Sequence, residues 1–277
     1  MKRFALMFLG ISLMCFSYDS VSSDFVLPES GESILKASHT VNHKAHKASG
    51  EDEAKAMRLK TVAIEAYTWG IREGSYYRML EIQDNLDSLS YLLDKGYNFS
   101  KFVIDGRMLM PTALRAERIQ VNSNDKESRE ALTSITLDKS PKIISQVPTW
   151  RNFLKRIAKP PVQPIRQSHP KNNEEIQLWD SEFKRGWVRG VKQADDTFQF
   201  DSNKLKTYFE GLYEFRFLLA QNVVYPPKLS KNETPVLLLD SGRTINLNDV
   251  KYRITLDAGF NKVEDWKPIM RRKDIRD

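Results

Sequence analysis

The chain has 277 residues, 40% hydrophobic and 29% charged, which is the balance of a globular protein with a core to bury and excludes a disordered or collagen-like chain. Its net charge of +7 is spread over interspersed residues of both signs, an excess too mild for nucleic-acid binding and ordinary for a solvated surface. A single cysteine, Cys15, excludes an internal disulfide, so stability has to come from packing.

Lys2 and Arg3 precede an apolar run from Phe4 to Phe16 that is too short to span a bilayer and is followed by polar sequence. This is the plan of a secretory signal peptide, and it predicts export to the periplasm. Two ways of processing stay open. Val21 and Ser23 supply the small residues that ordinary signal peptidase reads, giving a signal over 1–23. Alternatively 1–14 is a lipoprotein signal and Cys15 is acylated, although Met14 stands where that peptidase favours a small residue. Removing residues 1–23 takes Lys2, Arg3 and Asp19 and leaves a charge of +6.

Residues 24–50 are polar with little apolar periodicity and read as a flexible tether. His39, His43 and His46 would share one side of a helix there, a spacing that a metal site can use. No cysteine or carboxylate in the run completes the set and lysines flank it, so a solvated linker is the reading and no metal or other cofactor is expected.

Glu51-Asp52-Glu53 opens a helical pattern that lasts to about Asp94, with Ala56, Leu59, Ala63, Ala66 and Tyr67 starting an apolar face. In its middle lies Trp69-Gly70-Ile71-Arg72-Glu73-Gly74-Ser75-Tyr76-Tyr77-Arg78-Met79. Its two glycines, four apart, form a patch free of side chains on one helix face. Gly186 and Gly190 repeat this spacing in a second helical stretch. A glycine inside a helix costs about 1 kcal/mol against alanine, so Gly70, Gly74, Gly186 and Gly190 are read as the place where two helices pack closely. The alternative is a kink at each pair.

Beyond Gly96, the stretches 99–105, 108–118 and 131–145 are rich in β-formers and separated by turn signals, and they read as strands. Pro148-Thr149-Trp150 introduces a short helix over 150–157, ended by Lys159-Pro160-Pro161. From Asn173 an apolar face runs through Trp179, Phe183, Trp187 and Val191. Asp201-Ser202-Asn203 is expected to break that helix before another carries Leu205, Leu212 and Phe215. Three short strands, 235–239, 244–247 and 251–256, close the pattern, with Asp240-Ser241-Gly242-Arg243 as a turn. The fold class is therefore α+β, long helices packed with small antiparallel sheet regions, as a single domain over 51–277.

No Ser-His-Asp or Cys-His set and no phosphate-binding glycine loop is present, so no enzyme is expected and no catalytic residue is named. Glu65, Glu73, Glu81, Asp84 and Asp87 leave open a periplasmic protein that binds or cleaves cell-wall glycan, since acid-base pairs need no fixed sequence spacing. A carboxylate pair in one cleft would favour that reading, and broad apolar patches away from any cleft would favour assembly.

Several ordered strings resemble one family. Gly-Ile-Arg-Glu-Gly-Ser-Tyr-Tyr-Arg at 70–78, Asp-Gly-Arg-Met-Leu-Met-Pro at 105–111, Pro-Thr-Trp-Arg-Asn-Phe-Leu at 148–154, Gly-Trp-Val-Arg-Gly-Val-Lys-Gln-Ala at 186–194, Tyr-Arg-Ile-Thr at 252–255 and Trp-Lys-Pro at 266–268 resemble DotC, the outer-membrane lipoprotein of the Dot/Icm, or type IVB, secretion system. The resemblance covers roughly 53–270. It implies a non-enzymatic part of the outer-membrane core complex, in several copies, beside a DotD-like lipoprotein, helping a DotH-like protein reach the outer membrane. Cys15 matches the family's lipidated cysteine in position.

Overall fold

A computed structural model describes residues 26–39, 51–124 and 127–267. Its helices are α1 (Glu29–His39), α2 (Glu51–Ser88), α3 (Ser90–Gly96), α4 (Arg151–Leu154) and α5 (Asn173–Ala220). The strands are β1 (Val103–Ile104), β2 (Met108–Leu109), β3 (Thr112–Asn124), β4 (Glu127–Lys139), β5 (Lys142–Ile143), β6 (Val224–Tyr225), β7 (Lys228–Leu239), β8 (Thr244–Leu256) and β9 (Gly259–Phe260). They form antiparallel sheets of two or three strands: β1-β2-β5, β3-β4, β6-β9 and β7-β8. The class is α+β, with long helices and small sheets.

The described residues divide into two compact units, those up to Gly96 with Leu154–Ser202, and those of Tyr97–Phe153 with those from Asn203 to Lys267. One domain over 51–277 was expected. Each unit is assembled from separated stretches, so no linker in the sequence marks the division.

The first unit is built on α2 and the part of α5 up to Ser202. Helix α2 runs through Gly70 and Gly74 without a break and ends at Ser88, where Leu89 separates it from α3. Helix α5 likewise continues through Asp201-Ser202-Asn203, where a break was expected. The reason is a tertiary contact: Asp201 is buried, and Arg156 donates to both its carboxylate oxygens, at 2.6 and 3.0 Å. Held in that way, the aspartate does not compete for the helix backbone as a free one would. The helix expected over 150–157 stops at Leu154, and residues 155–164 run without regular structure into the proline-rich segment.

Residues 29–39 depart from the tether reading. Leu27 and Leu35 are buried among Val62, Ala66, Trp69, Trp179, Phe183 and Trp187, with Ile34 packed against the cluster. Leu27, Gly31, Ile34, Leu35 and Ser38 follow helical spacing, and that weak amphipathic signal becomes decisive once a wall of tryptophans faces it. At Gly31 an added Cβ would lie 3.1 Å from the tip of the Trp187 ring. His43 and His46 lie outside the described residues, as do the signal segment and Cys15.

In the second unit, Phe99, Phe102, Phe209 and Tyr213 form edge-to-face pairs with centroids 4.7–5.5 Å apart. Ala113, Phe215, Leu218, Val223 and Val224 form a buried cluster beside them in sequence. The three short carboxy-terminal strands of the sequence reading are two long ones here, because residues 228–234 pair with 249–256 and extend the hairpin towards its base.

Candidate functional site

Within the first unit α2 and α5 run parallel, and their two glycine pairs meet. A Cβ on Gly70 would overlap the Phe183 carbonyl and lie 3.0 Å from Trp187 N; one on Gly74 would overlap the Trp187 carbonyl and lie 2.9 Å from its Cα. Reciprocally, a Cβ on Gly186 would overlap the Tyr67 carbonyl and lie 3.1 Å from Ile71 N, and one on Gly190 would overlap the Ile71 carbonyl and lie 2.8 Å from Ser75 N. Backbone lies against backbone at all four positions, so the glycines serve close approach, with glycine Cα–H groups facing carbonyl oxygens.

Ion pairs fix the register on either side of the crossing. Arg78 donates from Nε to Asp195 at 2.7 Å and from Nη1 to Glu81 at 3.1 Å, and Lys55 meets Glu174 at 2.8 Å. Arg58 makes the largest set: Glu175 at 3.2 and 3.4 Å, the His169 carbonyl at 2.7 Å and the Gln167 carbonyl. Glu175 is buried and also accepts from Lys171 N at 2.8 Å, while its own N–H donates to Asn172 Oδ1 at 2.8 Å. This is close to a capping box at the start of α5. The sequence reading named neither: the Asn172-x-x-Glu175 spacing was the available signal for the cap, and nothing local points to Arg58.

Of the five candidate carboxylates on α2, Glu73, Glu81 and Asp87 are engaged structurally, and none of the five lines either cleft beside the helix. Glu73 accepts a hydrogen bond from Trp69 Nε1 at 3.0 Å, and burial pushes its pKa above the ordinary carboxylate value despite that bond. Glu81 is held by Arg78, and Asp87 by Lys155 at 2.6 Å. Two clefts lie beside α2. One is lined by Met79, Ile82, Phe198 and Asp201 among others, and Asp201 is its only carboxylate; the other is lined by none. Among the described residues, no group of three His, Cys, Asp or Glu side chains is placed to hold a metal, and no helix is long and apolar enough to cross a membrane.

The second unit carries a different feature. In the β7–β8 hairpin Val236 pairs with Leu247 and Leu238 with Ile245, and alternation puts all four on one face. They are exposed by 56, 70, 62 and 58% respectively, next to the Asp240–Arg243 turn. Four paired and exposed aliphatics form a contiguous apolar patch rather than scattered surface residues. Their period of two, at 236 and 238 and at 245 and 247, was the available signal.

The geometry defines an α+β protein in which a glycine-packed parallel helix pair builds one unit and long hairpins extend the other. The family described as type IV secretory system, conjugal DNA-protein transfer, matches residues 56–268, from the second turn of α2 to just past the last described residue. The chain belongs to that family. Among curated proteins none matches it.

Proposed function

We propose that this protein is a non-enzymatic structural component of the outer-membrane core complex of a Dot/Icm, or type IVB, secretion system, where it helps place a DotH-like protein in the outer membrane. Type IV secretion is given by the family; the finer assignment rests on the ordered strings that resemble DotC. The observation that carries an assembly role is the exposed aliphatic face of the β7–β8 hairpin, a surface whose burial by a protein partner would release apolar area from water. The protein is exported and works in the periplasm at the outer membrane, in several copies, beside a DotD-like lipoprotein. It is held there through a lipid on Cys15, or through partner surfaces if the signal is cut after Ser23. The mild positive charge favours protein partners over direct contact with nucleic acid.

The test is mild detergent extraction of envelopes from the native cell and isolation through a carboxy-terminal tag. A large particle containing DotD-like and DotH-like proteins is the expected result, and the mass of its amino-terminal peptide decides between acylated Cys15 and a cut after Ser23. Recovery of a lone soluble protein would overturn the assembly reading and turn attention to cell-wall glycan.

A further inference from the structure

We infer that the cleft beside the glycine crossing binds an extended acidic peptide segment of another protein. The cleft, about 300 Å³, lies between α2 and the irregular segment after α4, with Gln193 of α5 at its edge. Its α2 wall comes from the Trp69–Met79 stretch, whose glycines face the helix crossing while Ile71, Arg72, Ser75, Tyr76 and Met79 line the cleft. Arg72, Ser75, Tyr76, Lys159 and Gln193 converge on it, and among the described residues none of their side chains has a hydrogen-bond or ion-pair partner. No carboxylate lines it. Two cations, two hydroxyls and an amide around a space without an anion are complementary to a carboxylate.

Ile71, Met79 and Pro161 supply apolar walls between these polar groups. The pattern suits a chain that alternates acidic and aliphatic side chains rather than a lone ion. The neighbouring backbone favours an extended peptide: residues 156–164 form no backbone-to-backbone hydrogen bond with described residues, and Ile157, at the cleft wall, is 89% exposed. Val162 and Ile165 continue this exposed aliphatic edge. An incoming extended chain would donate to the unpaired carbonyls of that segment and cover those side chains, although Pro160, Pro161 and Pro164 offer no N–H in return. The inference rests on the cleft and not on the type IVB assignment.

The test uses the full mature chain and a fluorescein-labelled ten-residue peptide with carboxylates alternating with aliphatic residues, read by fluorescence anisotropy. A twin peptide with every carboxylate replaced by an amide is the control. Saturable binding of the acidic peptide, at least tenfold weaker for the amide twin and weakened by salt, is expected. Arg72→Glu and Lys159→Glu should each weaken it at least tenfold, whereas Lys251→Glu in the other unit should leave it unchanged. Both cleft cations are exposed, so the variants should keep the wild-type melting temperature, and a retained temperature assigns lost binding to the cleft. Equal binding of both peptides, or binding unaffected by the two cleft variants, would overturn the proposal. So would failure of the acidic peptide to bind where vesicles of anionic phospholipid do.

Discussion

Replacing Gly190 by alanine tests the helix crossing quantitatively. At an unconstrained helical position the change stabilises by about 1 kcal/mol, since alanine is the better helix former. Here the new Cβ would fall 2.8 Å from Ser75 N and 2.9 Å from Ile71 C, and nearer still to the Ile71 oxygen. Comfortable contact requires about 3.5 Å, so α2 and α5 have to move apart by about 1 Å, which forfeits about a quarter to half of the attraction across each opened contact. The contacts at stake include those of Trp69, Phe183 and Trp187, all in the buried cluster of this unit. Overpacking of this kind costs about 1–3 kcal/mol, so the net expectation is destabilisation by about 2 kcal/mol. Urea unfolding followed by helical circular dichroism and tryptophan fluorescence measures it. Gly70→Leu and Gly74→Leu carry the same argument further and should unfold the unit or abolish assembly. A Gly190→Ala protein as stable as wild type, or more stable, would refute the close-packing account. The Gly186→Ala, Gly190→Ala double variant should lose less than the two single losses together, because helices already displaced by one Cβ accommodate the second more cheaply.

Arg58→Leu strands Glu175 in the interior without its cation and should cost about 2–4 kcal/mol, with earlier proteolysis of the 166–171 segment as a local readout. Glu73→Gln keeps an acceptor for Trp69 Nε1 and removes a half-buried charge. Because burial raises the Glu73 pKa in the folded state, the wild type binds more protons folded than unfolded, so this group's contribution to stability rises as pH falls through the raised value. The glutamine variant should therefore gain a few tenths of a kcal/mol over wild type at pH 7.5, shrinking as pH approaches the unfolded carboxylate range, and paired urea midpoints at pH 7.5 and 5 give the comparison. Leu238→Ser with Ile245→Ser should leave the melting temperature nearly unchanged, since both side chains are exposed, but should reduce co-purification of envelope partners. Unchanged co-purification would remove the hairpin face from the assembly surface.

Local periodicity by itself determined much of this protein. Apolar spacing placed α2 and α5, turn residues placed the tip of the β7–β8 hairpin, and the two glycine pairs were legible because a glycine in a helix interior needs a reason outside the helix. What the sequence left open was everything that depends on a partner far along the chain. Asp201-Ser202-Asn203 reads as a helix break until Arg156 is brought against Asp201, and residues 29–39 read as a tether until Trp179, Phe183 and Trp187 offer a surface for Leu27 and Leu35. The division into two units was equally hidden, because each unit is made of separated stretches. Arg58 with Glu175, and the gathering of Arg72, Tyr76 and Lys159 around one cleft, are also tertiary facts. Charge and hydrogen-bonding capacity are written in single residues, but which of them stay unpaired is decided only when the backbone brings distant segments together.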